Sequence, residues 1–375
     1  MSDFKHSSYR LVSPLMAGAL CGVAWLTLCV GCGGNAATPD ITPPTVAFAN
    51  IGPLIGDVSS QATAVSANGT VVVGISKSAS GKSRAFRWTA LEGLTDLGLM
   101  PGGTSASARA VSADGSVIVG DGDAQDASSA VFRWRASTGL VQLQALANSR
   151  LCVAGDVSGD GNTVVGTCLT AGNSAFRWTE GGAMVALGQF GGGSNQTSNA
   201  TAISTDASTI VGFGHPVLTG AVLWSAVGEA SVLGMPAGDT SAAASAVSRD
   251  GSVVVGDSLQ ASFHRRAFRW TRQTGMTPIV SSSDSLSDVI ASAVSGDGRV
   301  ITGWGNTPNG ETALLWDEPH GMRRLDDALK TDYQTTISGW TLSRATALSD
   351  DGRTVVGFGV NPAGYVEGWV LKFPN

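Results

Sequence analysis

The chain has 375 residues, 43% of them apolar and 14% charged, with 50 Gly and a formal charge of −6. Globular proteins average about 25% charged residues and about 7% Gly, so this chain is poor in charge and rich in turn formers, yet apolar enough to fill a core; a disordered polymer is excluded. Its acidic balance excludes the broad basic field on which nucleic-acid binding depends.

The first element is an address. Lys5 and Arg10 precede residues 11–31, LVSPLMAGALCGVAWLTLCVG, which carry no charge. This pattern predicts a secretory signal peptide over 1–31. At about 20 apolar residues the run also reaches the length of a membrane-spanning helix, so an uncleaved anchor and plain secretion stand as alternatives. The run ends in Val30-Gly31-Cys32-Gly33 and resembles a bacterial lipobox, with Cys29 where Leu is usual. That resemblance implies lipidation of Cys32, and the Gly after it implies the outer membrane. Residues 32–44 read as a tether, too rich in Pro and small residues to order itself, and residues 45–375 as the folded body.

Cys21 and Cys29 leave with the signal, so Cys152 and Cys168 are the remaining thiols of an exported body. Between them lies an apparent hairpin with Gly159-Asp160-Gly161 at its tip. If Ser158 faces Asn162, then Cys152 faces Cys168. Directly opposed Cα atoms lie about 4.5–5.5 Å apart, inside the range a disulfide accepts, and export favours oxidation. A cross-strand disulfide is expected, with two free thiols as the alternative.

Beyond the tether the sequence repeats. Trp88, Trp134, Trp178, Trp224, Trp270, Trp316 and Trp369 recur at spacings of 46, 44, 46, 46, 46 and 53. Around them one phrase returns: a segment such as Ala64-Val65-Ser66, a turn such as Asp114-Gly115, a β-branched run such as Val71-Val72-Val73-Gly74, then Ala85-Phe86-Arg87-Trp88 and a fourth apolar segment such as 94–99. Asn-Gly and Asp-Gly favour the positive-φ turns of two-stranded hairpins. Four strands in about 45 residues, with no helical periodicity between copies, have the dimensions of a propeller blade. The expected fold is all-β: a seven-bladed β-propeller with four antiparallel strands per blade. A β-solenoid, whose coils are shorter, is the alternative. The last repeat lacks its fourth strand, and residues 46–55 supply a spare one, so the N-terminal strand is expected to complete the C-terminal blade and remove two sheet edges.

The Ala-Phe-Arg-Trp phrase at 85–88, 175–178 and 267–270, with Val131 opening a fourth copy, resembles the HAF-repeat extracellular family over about residues 61–371. The family's leading His is replaced here by Arg84, Ser174 and Arg266. The resemblance implies an exported repeat protein and assigns no reaction.

Side chains alternate along a strand, so Phe86 and Trp88 are expected to fill the core between blades and Arg87 to point the other way. Arg87, Arg133, Arg177 and Arg269 then need partners, an Asp of a neighbouring turn being the candidate; an anion-binding ring of arginines is the alternative. Asp156, Ser158 and Asp160 resemble the start of a calcium loop, but Thr167 stands where the bidentate Glu is required, and they read as turn formers. His215, His264 and His320 fall in different repeats, so neither a metal site nor a cofactor is expected.

Loops of varied length cluster at one end of the predicted blades, at 76–83, 121–129, 215–220, 257–266, 305–311 and 330–343, and variable loops on a rigid scaffold are where function concentrates. Trp304, Tyr333, Trp340 and Tyr365 fall on or near them. These rings serve either to stack on a ligand or, the favoured reading, to cover the seam where the ring closes. The functional expectation is a monomeric, lipid-anchored, non-catalytic platform at the cell envelope, binding a protein or glycan on the loop face. Its alternatives are a glycosidase or lyase using Asp121, Asp123, Asp239 and Asp257 at the channel mouth, and a purely structural envelope component.

Overall fold

The computed structural model describes residues 45–124, 129–188, 197–215, 220–281 and 285–374. The signal segment, Cys32, the tether to residue 44, and parts of the loops at 121–129 and 215–220 lie outside the described residues. Among the described residues no helix is long and apolar enough to cross a membrane.

After an N-terminal strand β1 (Ala47–Ile51) comes the first unit, an antiparallel sheet of β2 (Ser59–Val65), β3 (Val72–Lys77), β4 (Ser83–Thr89) and β5 (Gly93–Asp96) in that order. The pattern recurs to the C-terminus. Units 106–142 and 151–186 are joined into one longer sheet by a single parallel pair, Leu151 with Ser129.

Each first turn is locked by a buried serine. Ser66 Oγ donates to Asn68 Oδ1 (2.7 Å) and accepts the Val71 N–H (3.0 Å), while Gly69 takes φ 68° at the tip. The same two bonds recur from Ser112 to Asp114 and Val117, from Ser158 to Asp160 and Thr163, and from Ser204 to Asp206 and Thr209. They recur again at Ser248, Ser295 and Ser349. The Ala-Val-Ser segment and the Asp-Gly dipeptide are therefore one device, a side chain satisfying two groups of a tight turn at once. In the fourth unit Ala207 stands in the glycine position with φ 59°.

The glycine that ends each β-branched run has a packing cause. Gly74 faces Phe86 across β3 and β4, and a Cβ there would lie 2.1 Å from Gln61 O and 2.5 Å from the Phe86 ring. Gly120 with Phe132 and Gly166 with Phe176 repeat this contact. The phenylalanines are fully buried. The tryptophans divide: Trp178, Trp224 and Trp369 are buried, whereas Trp88, Trp134, Trp270 and Trp316 are half-buried, each packing one face on the core, and the first three of these also line surface grooves.

Trp369 also belongs to a different place. It faces Gly357, the position that Phe86 holds against Gly74, and Leu371 takes the Trp position opposite Val355. The last interval of 53 therefore compares unlike sites two residues apart.

Every inner strand carries a bulge at the same point: between Ala62 and Ala64, Ala108 and Ala110, and Ala154 and Asp156 in the first three units, and onward to Ala345 and Ala347. This bulge corrects the reasoning about the cysteines. Near the turn Val157 faces Val164, so the tip is one residue out of the assumed register; the extra residue, Gly155, shifts the pairing back, and Cys152 faces Cys168. The two form a disulfide with Cα atoms 4.0 Å apart.

β1 lies against the last sheet, outside Val366–Lys372, with Ala49 opposite Val370 and Ile51 opposite Gly368. It is five residues long rather than the ten of segment 46–55. First and last sheets share one core, in which Ile51, Ala62, Val72 and Phe86 meet Val356 and Val370. Thr346 Oγ1 donates to Ala62 O at 2.9 Å, and Gly368 N donates to Ser60 Oγ at 3.0 Å.

The stretch 330–343 overlaps the end of a helix, Leu325–Tyr333. Leu325, Ala328 and Leu329 are buried, Asp326 and Asp327 sit in its first turn and Lys330 in its last, in keeping with the helix dipole.

Candidate functional site

The four aromatic candidates do not converge on one pocket, and Tyr333 lies toward the turn-bearing end, beside Phe373, whose N–H donates to Arg353 O. Trp340 packs edge-on against Phe48 of β1, with centroids 5.2 Å apart, and Tyr333 packs on Phe373 at 5.1 Å. These two rings cover the joint between the termini and the last unit. Trp304 lies under the Arg344 guanidinium, 3.8 Å from its carbon, and Arg344 is paired with Glu311. The Arg344 side holds the Glu311 carboxyl below its usual range. Tyr365 is 60% exposed on its own turn.

The carboxylates at the loop end each have a local partner. Asp121 receives two bonds from Arg109, and Asp239 two from Arg266. Asp257 pairs with Arg265 at 2.6 Å; burial pushes its carboxyl up against that attraction. Asp123 accepts from Thr104 N and Oγ1 and from Ser105 N. Beside them, a cleft of about 420 Å³ opens between Leu151, Val153 and Leu169 on one side and Asn199 and Phe213 on the other. Its first wall is the reverse face of the disulfide-bearing strands, since residues flanking inward cysteines point outward.

At the axis, inner-strand residues from Val65 to Asp350 line a cavity of about 140 Å³. Asp156 stands there where the other inner strands place Ala64, Ala110, Ala202, Ala246, Ala293 and Ala347. Its Oδ1 accepts the Val157 N–H at 2.8 Å and its Oδ2 accepts the Ile203 N–H of the next unit at 2.9 Å. Burial raises its carboxyl to about 6, against the lowering effect of those two bonds.

The opposite, turn-bearing end is not plain. There the Arg and Trp of the repeated phrase line grooves against the next unit's turn. One groove, of about 580 Å³, is bounded by Phe48, Val71, Arg87, Trp88, Glu92 and Lys372. A second, of about 440 Å³, has Trp134 and Arg135 beside Arg87 and Glu92. The third and largest, about 710 Å³, is lined by Asp250, Arg269, Trp270, Arg272, Thr274 and Asp297.

The arginine partners differ from the expected turn aspartates, because the Ser lock has already engaged those. Arg87 pairs with Glu92; Arg133 donates to Gly161 O and to both oxygens of Glu180; Arg177 donates to Ala226 O. Among the described residues the Arg269 side chain makes no hydrogen bond or ion pair, and its Nε is buried without a partner. The signal was present in the sequence: in the third turn, Thr274 occupies the place of Glu92.

No protein-family model and no curated protein matches the chain. Solved structures do. Oligogalacturonate lyase from Vibrio parahaemolyticus is similar at TM-score 0.57 and 11% identity, over 89% of this chain and 99% of that one. An oligogalacturonate lyase in complex with manganese aligns at 0.57 and 12%, with the same coverage. The β-propeller domain of the Trilobed protease from Pyrococcus furiosus, described as having an open velcro topology, aligns at 0.55 and 11% over 84% of this chain and 95% of that one. TolB from Acinetobacter baumannii aligns at 0.48 and 11% over 68% of this chain, which spans 63% of TolB's length. At these identities the likeness shows the fold alone: all-β, of propeller type.

Proposed function

We propose that this is an exported, lipid-anchored binding platform without catalytic chemistry, built as a seven-bladed propeller on a tether from Cys32. The Ser lock at Ser66, Ser112, Ser158, Ser204, Ser248, Ser295 and Ser349 supports the blade count, one lock per blade. So do the backbone bonds that run from turn to turn, Ala67 to Ala113, Gly159, Thr205 and Arg249, and from Gly296 through Asp350 back to Ala67. The resemblance of the Ala-Phe-Arg-Trp phrase to HAF repeats fits an exported protein.

The observation that carries the non-catalytic reading is the pairing of the loop-end carboxylates. Asp121, Asp239 and Asp257 are held by Arg109, Arg266 and Arg265, and Asp123 by three donors. Acid–base hydrolysis needs one carboxyl free to carry a proton and a second free to act on substrate or water. Groups fixed in ion pairs serve the scaffold, and the cleft at Phe213 leaves that end a binding surface. The second reading, an enzyme acting on acidic polysaccharide, is favoured by the fold-level likeness to oligogalacturonate lyases. Incubation of the purified chain with oligogalacturonate and manganese, followed by the near-ultraviolet absorbance of an unsaturated product, separates the two: the platform reading expects none, and steady turnover refutes it. Radiolabelled palmitate incorporation lost in Cys32→Ser tests the anchor.

A further inference from the structure

We infer that the groove between Trp270 and the neighbouring turn at Asp297 is a binding site for an acidic saccharide, with the sugar ring on the indole and its carboxylate on Arg269. The inference concerns the turn-bearing end and stands apart from the loop-end reading.

Three features of the groove point to this chemistry. Arg269 lines it with a guanidinium that has no partner and an Nε removed from water, and a desolvated donor left unmade is costly. A bidentate carboxylate is the natural complement of that fork. The two acids in the lining make no ion pair with it: Asp250 Oδ1 accepts from the Ser248 and Ser252 hydroxyls and the Ser252 N–H, and Asp297 Oδ1 from the Ser295 hydroxyl and the Arg299 N–H.

The molecule also contains its own comparison. In the first unit the equivalent arginine, Arg87, is closed off by Glu92 beside an equivalent tryptophan. The fifth unit has Thr274 at that position, leaving a cation, a half-buried indole and the hydroxyls of Ser252, Thr271 and Thr274 around about 710 Å³ of open volume. An aromatic face, a free guanidinium and several hydroxyls are the complement of a carboxylated sugar. A peptide docking by strand addition is disfavoured, because the edge strand here, Gly275–Pro278, has four residues and ends in a proline with no N–H to donate.

The test is calorimetric titration of the full chain with trigalacturonate, maltotriose and a glutamate tripeptide, using wild type, Thr274→Glu, Arg269→Gln and Arg87→Gln. Thr274→Glu gives up only exposed hydroxyl contacts of the turn, to Thr271 Oγ1 and Gly275 O, and installs the carboxylate that the first unit uses. Trigalacturonate should bind wild type at least tenfold more tightly than maltotriose or the tripeptide. Thr274→Glu and Arg269→Gln should each weaken it at least tenfold, and Arg87→Gln should leave it unchanged. Unchanged affinity in both groove variants, equal binding of maltotriose, preferential binding of the tripeptide, or no binding of trigalacturonate overturns the assignment. Binding of another envelope ligand would leave the platform reading intact in every such case.

Discussion

Asp156 gives the sharpest handle on the energetics of this fold. Its carboxyl titrates near 6 in the folded chain against an ordinary 3.8, because the inner strands take it out of water. Each unit of difference is about 1.36 kcal/mol, so the ionised group opposes folding by about 3 kcal/mol at neutral pH. The sign follows from proton uptake: between about pH 4 and 6 the folded state holds the proton more tightly than the unfolded one, so stability falls as pH rises through that window and is level above it. Asp156→Asn cannot ionise. It keeps one carbonyl for either the Val157 or the Ile203 N–H and loses the second acceptor, a roughly constant cost of about 1 kcal/mol. The stability of the variant relative to wild type should therefore improve by about 2 kcal/mol from pH 4 to pH 7. Urea unfolding of both proteins at half-unit steps of pH measures this difference, and all other titrating groups cancel. Parallel pH profiles would refute the buried-carboxylate account.

The turn locks predict that Ser112→Ala, which leaves the Val117 N–H and the Asp114 carboxylate without the hydroxyl, costs about 1–3 kcal/mol in urea unfolding. The Ser112 hydroxyl lowers the Asp114 carboxyl first among its causes; that contribution is present above about pH 4 and is lost as pH falls further, so the variant should show a shallower acid limb. Ala207→Gly should stabilise by about 1 kcal/mol, since the left-handed conformation is free of cost only for glycine; a loss of stability would show that Ala207 packing outweighs its backbone. Ile51→Ala should cost about 2–5 kcal/mol through the core shared by first and last sheets, and an effect below 1 kcal/mol would mean that β1 is not integral to that core. Thiol alkylation without reductant should add no mass at Cys152 or Cys168, and opening that 16-residue separation should cost about 3 kcal/mol.

The strand order was readable because its chemistry is local. Asp-Gly and Asn-Gly name the turns, and the β-branched runs name the strands between them. Three features were not, for physical reasons that differ. Trp369 was counted with the other tryptophans because a strand points residues two apart to the same side, so spacing alone cannot separate the Phe position from the Trp position. The bulge at Gly155 inserts one residue without any mark that a sum of residue numbers would register; the assumed turn was also one residue out, and the two errors cancelled at the cysteines. The helix Leu325–Tyr333 is nine residues long and buries only Leu325, Ala328 and Leu329, too brief a stripe to stand out from a loop. The aromatic candidates were found by type, but their partners decided their role: Phe48 and Phe373, from opposite ends of the chain, occupy Trp340 and Tyr333. The open guanidinium of Arg269 becomes visible only after the units are superposed in register and Thr274 falls beside Glu92.

The pairing of Ala47–Ile51 with Val366–Lys372 also sets an order of events in time. β1 is synthesised some three hundred residues before its partner, so it must wait, unpaired, until that strand is available. Until then the growing protein exposes one raw strand border at each end, both able to capture a neighbouring molecule. Refolding from denaturant should accordingly end in a slow phase set by the search of these distant segments for each other, and a circular permutant that makes β1 continuous with the final strand should lose that phase.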